Sequence, residues 1–297
     1  MDKYIGVLLS SCSGDVLGSQ TEGMTRKQIK EHFSLLKMPE DKLYTDDSEM
    51  MLVLARHIVK NKTIDFVKIH VEYANEIKNK GYSLKTRTIL SNIKKNTTGC
   101  FDTPGFSDTN GCVMRIAPLG LLNIDSKTLM QSIYLSTYFT HGGNKDSVFC
   151  CFIHCKLINA LVNRKFQNFV DYFNYIYAKF FNHKYFAKIN IVKFCLNHKI
   201  NSITFELLGD PNAFQIKAID AICCAYYIFF KNYQNPKNAI IEAAMMGGDT
   251  DTIAKLVGDL CGAYYGYEWL PSEWLGVEGE KEFTELGKSI YEINYMK

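Results

Sequence analysis

Two short stretches concentrate hard oxygen donors. Gly247-Gly248-Asp249-Thr250-Asp251-Thr252-Ile253-Ala254 sets two carboxylates and two hydroxyls into four positions, behind a glycine pair and ahead of an apolar helical pattern. Far upstream, Tyr44-Thr45-Asp46-Asp47-Ser48-Glu49-Met50-Met51 has the same character: hydroxyl, carboxylate, carboxylate, then a helix. Asp, Glu and Thr oxygens suit Mg²⁺, Mn²⁺ or Ca²⁺, whereas zinc prefers Cys and His. Carboxylates brought together without cations repel one another, so a site built from both stretches calls for divalent metal. Two ions a few ångströms apart would match its charge. The simpler alternative makes each stretch a helix N-cap, since Asp and Thr are favoured there. A cap needs only one such residue, and Gly-Gly-Asp-Thr-Asp-Thr offers more. Asp46 is the predicted cap of its helix, with Glu49 completing a capping box.

The elements that must carry these donors read as helices. Apolar spacing predicts helices over 3–19, 26–36, from 46 through Ile58, 63–80 and 84–95, the last mostly polar and peripheral. Ser10, Ser11, Ser13, Gly14 and Gly18 would let the second half of the first helix pack closely. A turn-rich stretch from Asn96 to Gly111 follows, longer than an idle connection in a compact domain. Further helices are predicted over 126–139, 145–163, 165–187 and 189–198, from Pro211 to Phe230, from Pro236 to the glycine pair, over 250–265 and from Glu280. Ile200–Leu208 is the one candidate strand. No run alternates strictly and no internal repeat appears. The fold class is therefore all-α: about a dozen helices in one domain spanning 1–297.

Composition narrows the function. A net charge of +3 gives no case for direct nucleic-acid binding, and no apolar run is long enough to span a membrane. The N-terminus lacks the pattern of a signal peptide. Ten cysteines include the adjacent pairs Cys150/Cys151 and Cys223/Cys224 inside apolar helices, with no C-x-x-C, so they read as small buried hydrophobes in a reducing compartment. Cys151 and Cys155 share a helix face beside His154, but no second ligand pair completes a zinc site.

Five blocks in order resemble the ADP-ribosylglycohydrolase family: Gly14-Asp15-Val16-Leu17-Gly18 with Glu22, Thr45-Asp46-Asp47-Ser48-Glu49-Met50, Asn110 through Leu119, Thr140-His141, and Gly247 through Ala254. The run Gly258–Gly266 with Pro271-Ser272-Glu273-Trp274 is similar to the branch acting on serine-linked ADP-ribose and poly(ADP-ribose). Ser107–Gly111 is more like bacterial members, so the acceptor stays open between the branches.

The resemblance implies an orthogonal all-α bundle with a cleft holding two Mg²⁺ ions, with Mn²⁺ as substitute. Thr45, Asp46 and Asp47 would hold one ion; Asp249, Asp251 and Thr252 would hold the other, with Asp251 bridging. Glu22, Asp46, Asp47 and Asp251 are the candidates to take a proton from water, with Glu22 favoured in the serine-type branch and Asp46 or Asp47 otherwise. Ser107, Asn110 and Gly111 would lie by the diphosphate or distal ribose, where glycine N–H groups suit a phosphate; the alternative for Asn110-Gly111 is a plain turn. Arg115 would meet phosphate or form an internal ion pair. His141 would lie near the ligand or be structural. Gly247 and Gly248 would let the backbone approach the ligand closely.

The implied partners are ADP-ribose and ADP-ribosylated proteins or poly(ADP-ribose), handled by an intracellular monomer, cytoplasmic or, in a eukaryote, nuclear. Two rivals remain open on the sequence: a two-metal phosphoesterase, and a non-catalytic ADP-ribose-binding relative.

Overall fold

The computed structural model describes residues 1–78, 80–95, 106–165, 169–180, 184–199 and 215–295. Among them are fourteen α-helices and no strand. In chain order these are α1 (Asp2–Gly18), α2 (Arg26–His32), α3 (Asp46–Asn61), α4 (Phe66–Glu76), α5 (Leu84–Lys95), α6 (Ala117–Gly120), α7 (Ser126–His141), α8 (Lys145–Val162), α9 (Phe169–Phe180), α10 (Phe186–Asn197), α11 (Ala218–Lys231), α12 (Pro236–Ala244), α13 (Thr250–Tyr265) and α14 (Glu280–Tyr295). Their apolar faces meet in one contiguous core. The expected all-α bundle is what forms.

The centre of the bundle is the antiparallel pair α1 and α13. Both are buried on nearly every side. Small residues let them touch backbone to backbone. A Cβ added to Gly14 would lie 2.3 Å from the Ala254 carbonyl oxygen, one on Gly258 2.2 Å from that of Ser10, and one on Gly262 2.1 Å from that of Gly6. No L side chain fits such gaps. The close packing expected for the second half of α1 is therefore real, and its partner is the helix that begins at the second acidic stretch. The arrangement sets the end of α1, and Glu22 just beyond it, beside the start of α13.

Several boundaries differ from the sequence reading. The cap of α3 is Thr45, whose hydroxyl accepts from Asp47 N at 3.3 Å, not Asp46. Glu49 forms no capping box: its Oε2 accepts from Lys78 N at 3.1 Å and Tyr82 Oη at 2.5 Å. Helix α4 is shorter than 63–80 because Asp65 caps it, accepting from Val67 N and Lys68 N. The predicted 165–187 helix is not continuous: α9 ends at Phe180 and α10 begins at Phe186. No helix runs unbroken from Pro211, since residues 215–217 are non-helical. There Ile216 O accepts from Asn110 N at 2.7 Å and Lys217 bridges to Thr109, so the backbone serves the neighbouring loop instead. The candidate strand at 200–208 lies outside the described residues, as does the 96–105 part of the long loop.

Candidate active site

The two acidic helix starts open onto one cleft of about 360 Å³. Glu22, Asp46, Asp47, Asp249, Asp251 and Thr252 line it, joined by Asn110, Gly111, Arg115 and His141 on the far wall. Oxygens of Glu22, Asp249 and Asp251 lie within 4.8 Å of one another, a metal-ligand spacing. It is the one such grouping of His, Cys, Asp and Glu among the described residues, which leaves Cys151, His154 and Cys155 as core. Asp46 and Asp47 share the cleft but stand outside that tight group.

The carboxylates are not occupied as caps. Asp249 is the N-cap of α13, yet its side chain accepts no capping bond. Its Oδ2 instead accepts from Asn110 Nδ2 at 2.6 Å, across the cleft. Asp47 is buried and its Oδ2 has no hydrogen-bond partner. An orphaned buried carboxylate oxygen is costly unless a cation meets it. Asp251 Oδ1 accepts from Thr252 N at 2.9 Å, within the first turn of α13. This hard-oxygen donor set, with an unsatisfied oxygen inside it, fits divalent cations.

Asp15 organises the other start, and its role was not legible from spacing. It is fully buried on α1 and reaches the first turn of α3. Its carboxylate accepts from Thr45 Oγ1 at 2.8 Å, Thr45 N at 3.2 Å and Ser48 N at 3.0 Å. Helix-start N–H groups are thus satisfied from behind, which releases Asp46 and Asp47 toward the cleft.

Crowding shows in the titration of these groups. Burial, then the charge of Asp15, pushes Asp46 up to about 7. Asp47 and Asp251 are driven well above the carboxylate range, again by burial first, then by Asp15 for Asp47 and Asp249 for Asp251. Glu22, at the open edge of the cleft, is raised by desolvation and by Asp249. All these shifts disfavour a collection of bare anions.

The other expected residues divide into three groups. Asn110 touches the acidic cluster directly. Ser107 lines the cleft and bonds within its own loop, Oγ to Thr109 Oγ1 at 2.9 Å. His141 lines it too, with Nδ1 2.8 Å from Thr140 Oγ1 and Nε2 3.2 Å from Thr109 O. Arg115 forms no ion pair among the described residues. Its buried guanidinium donates to Gly111 O at 2.9 Å, Thr140 Oγ1 at 2.8 Å and Ser136 O at 3.3 Å, and lies over the Tyr73 ring. It braces the Asn110-Gly111 wall against the end of α7. Thr45, Gly247 and Gly248 do not form the cleft lining. Gly248 N donates to Met24 O, and Gly23 N to Gly248 O, both at 2.9 Å, so the glycine turn docks on the segment directly after Glu22. With φ of +87° and a backbone neighbour 2.6 Å from any Cβ, Gly247 has no room for a side chain.

Helix α5 is a correction. It was expected to be peripheral, but Lys85, Thr86 and Ile89 form one edge of the cleft. Lys85 Nζ donates to Phe106 O at 2.8 Å, tying that edge to the opposite loop.

A profile of the ADP-ribosylglycohydrolase family matches residues 1–296. The chain belongs to the ADP-ribosylglycohydrolase family. It is thereby a hydrolase of glycosidic bonds that removes ADP-ribose from acceptors. Similar proteins include ADP-ribosylhydrolase ARH3 of Gallus gallus, 23% identical over 98% of this chain and 93% of that protein. ADP-ribosyl-[dinitrogen reductase] glycohydrolase of Rhodospirillum rubrum is also 23% identical, covering 97% and 94%. A solved structure described as an ADP-ribosylglycohydrolase-related protein complex shares the fold, with a TM-score of 0.68 at 20% identity, covering 99% of this chain and 98% of that one. The family is metal-dependent, consistent with the acidic grouping in the cleft. No described helix is long and apolar enough to cross a membrane.

Proposed function

We propose that the whole chain acts as one catalytic domain that hydrolyses the bond at C1 of the distal ribose at a dinuclear Mg²⁺ centre, freeing ADP-ribose from a protein side chain or from poly(ADP-ribose). The observation that carries this reading is the meeting of Glu22, Asp46, Asp47, Asp249 and Asp251 in one cleft of a glycohydrolase-family chain. Asp46 and Asp47, with the remaining lone pair of the Thr45 hydroxyl, would hold one ion. Asp249, Asp251 and Thr252 would hold the other, with Asp251 shared. When bound, the ions supply Lewis acidity and a template for the ribose hydroxyls and the water.

The rest of the chemistry falls to side chains. Glu22 stands at the open edge, where an acceptor would enter, and desolvation followed by the charge of Asp249 raises its pKa, which favours its taking up a proton. Water oxygen adds to C1 while the bond from C1 to the acceptor heteroatom breaks. Glu22 takes the water's proton and returns it to the departing heteroatom. Asn110 keeps Asp249 aimed into the cleft, while Ser107, Gly111 and His141 offer polar groups to the diphosphate and ribose. Gly247 and Gly248 act one step back, seating the loop that carries Glu22. Mn²⁺ would substitute for Mg²⁺, having the same preference for oxygen.

The test is product analysis on serine-, arginine- and poly-ADP-ribosylated substrates, with Mg²⁺ and with EDTA. Intact ADP-ribose released only with metal is the expected result. Release of AMP or phosphate would favour phosphoester chemistry, and binding without release on every substrate would favour a non-catalytic reader.

A further inference from the structure

Lys255 has no exposed surface. It sits on α13 one turn after Asp251. Its ammonium donates to Ser11 Oγ at 2.6 Å and approaches Met51 Sδ at 3.3 Å. Ser11 precedes Asp15 on α1 by one turn, and Met51 follows Asp47 on α3 by one turn. At ~1.5 Å rise per residue, each contact lies about 6 Å along its own helix from an acidic residue of the cleft. One cation is thus wedged where the three helices carrying Asp15, Asp47 and Asp251 meet.

Its own ion pair is weak. Asp259, one turn further along α13, offers Oδ1 at 3.8 Å, too long for a hydrogen bond, and that oxygen has no hydrogen-bond partner. The other oxygen of Asp259 lies 3.1 Å from His154 Nε2. A buried ammonium with a single good oxygen acceptor is expensive. What offsets it is the negative charge of the acidic residues one turn above on the same three helices.

We propose that Lys255 is an internal counter-ion of the acidic centre, a positioning residue that balances its carboxylates when metal is off and competes with metal for the same charge. The inference rests on the divalent-metal reading above. The ammonium attracts bare carboxylates but repels bound Mg²⁺. Removing it therefore costs the metal-free protein more than the loaded one, and metal binding tightens. A lysine serving only as a scaffold partner of Asp259 would cost both states equally.

Lys255→Met and Lys255→Gln separate these outcomes, with MgCl₂ titrated calorimetrically at pH 8 and thermal unfolding followed in EDTA and in saturating Mg²⁺. The expected result is a Mg²⁺ Kd tighter by about tenfold, with a much larger fall in Tm in EDTA than in Mg²⁺. A variant that folds only with Mg²⁺ would support the proposal in its strongest form. An unchanged or weaker Kd with equal Tm losses would overturn it, as would failure of both variants to fold even in Mg²⁺. If the wild-type chain takes up no Mg²⁺, the metal reading falls as well; normal wild-type binding with unaltered variants sinks only the counter-ion.

Discussion

Helices α3 and α13 begin with nearly the same chemistry and are held in different ways. At α3, Thr45 and Asp15 serve the first turn's N–H groups, and Asp15 does so from another helix. Asp46 and Asp47 are left without capping duty. At α13 no side chain caps the start, and Asp249 is held across the cleft by Asn110. One acidic turn is anchored from behind by the core, the other from in front by a loop. An acidic helix start therefore does not position itself, and the residues that fix it lie outside the motif.

The comparison can be broken first at the shared ligand. Asp251→Asn should stay folded, lose one ion and lose more activity than the ~100-fold that bounds typical outer-shell changes; near-normal turnover would end the two-ion assignment. Next comes the seam that brings the two starts together. Gly262→Ala forces a Cβ into the Gly6 carbonyl, 2.1 Å away, and should cost about 1–3 kcal/mol or more in urea unfolding. Unaltered stability would mean that α1 and α13 can part freely.

The two supports can then be set against each other. Asp15→Ala removes the acceptor for three donors at the start of α3 and should cost roughly 10–100-fold in metal affinity, while Asn110→Ala, losing one bond to Asp249, should fall at the low end of that range. The reverse order would show that the loop, not the core, sets the site.

The last test is a pH slope. Asp46, raised to about 7, favours the folded state fully below the unfolded carboxylate pKa and loses that contribution as pH rises through about 7. Stabilisation by Mg²⁺ should therefore grow between pH 5 and pH 8. His70, on α4, has the opposite sign. Burial pushes it down to about 3, so its contribution is present above ~6.5 and falls by about 1.4 kcal/mol per pH unit as acid is added. His70→Gln should flatten that acid limb without altering the Mg²⁺ trend; an unchanged limb would assign the slope elsewhere.

Much of this was legible in the chain. Helical periodicity gave the all-α class, and the excess of carboxylates over what a cap needs marked both starts. The small residues of α1 announced a close neighbour. Asp15 falls within a motif, but nothing in a helix interior says that its carboxylate caps a helix thirty residues on. Lys255 reads as an ordinary helical lysine until its burial is seen. Helix α5 looked peripheral because a cleft edge is polar for the same reason a surface is. The 165–187 reading failed because apolar residues continue on both sides of the break, and periodicity alone does not mark where the chain turns.

The central claim is that both helix starts serve one dinuclear centre, and bound metal per chain tests it most directly. Equilibrium dialysis with Mn²⁺ should give two ions per wild-type chain, falling to one in Asp47→Asn and likewise in Asp249→Asn. A single ion in the wild type, lost only on changing Asp249 and indifferent to Asp47, would contradict the account.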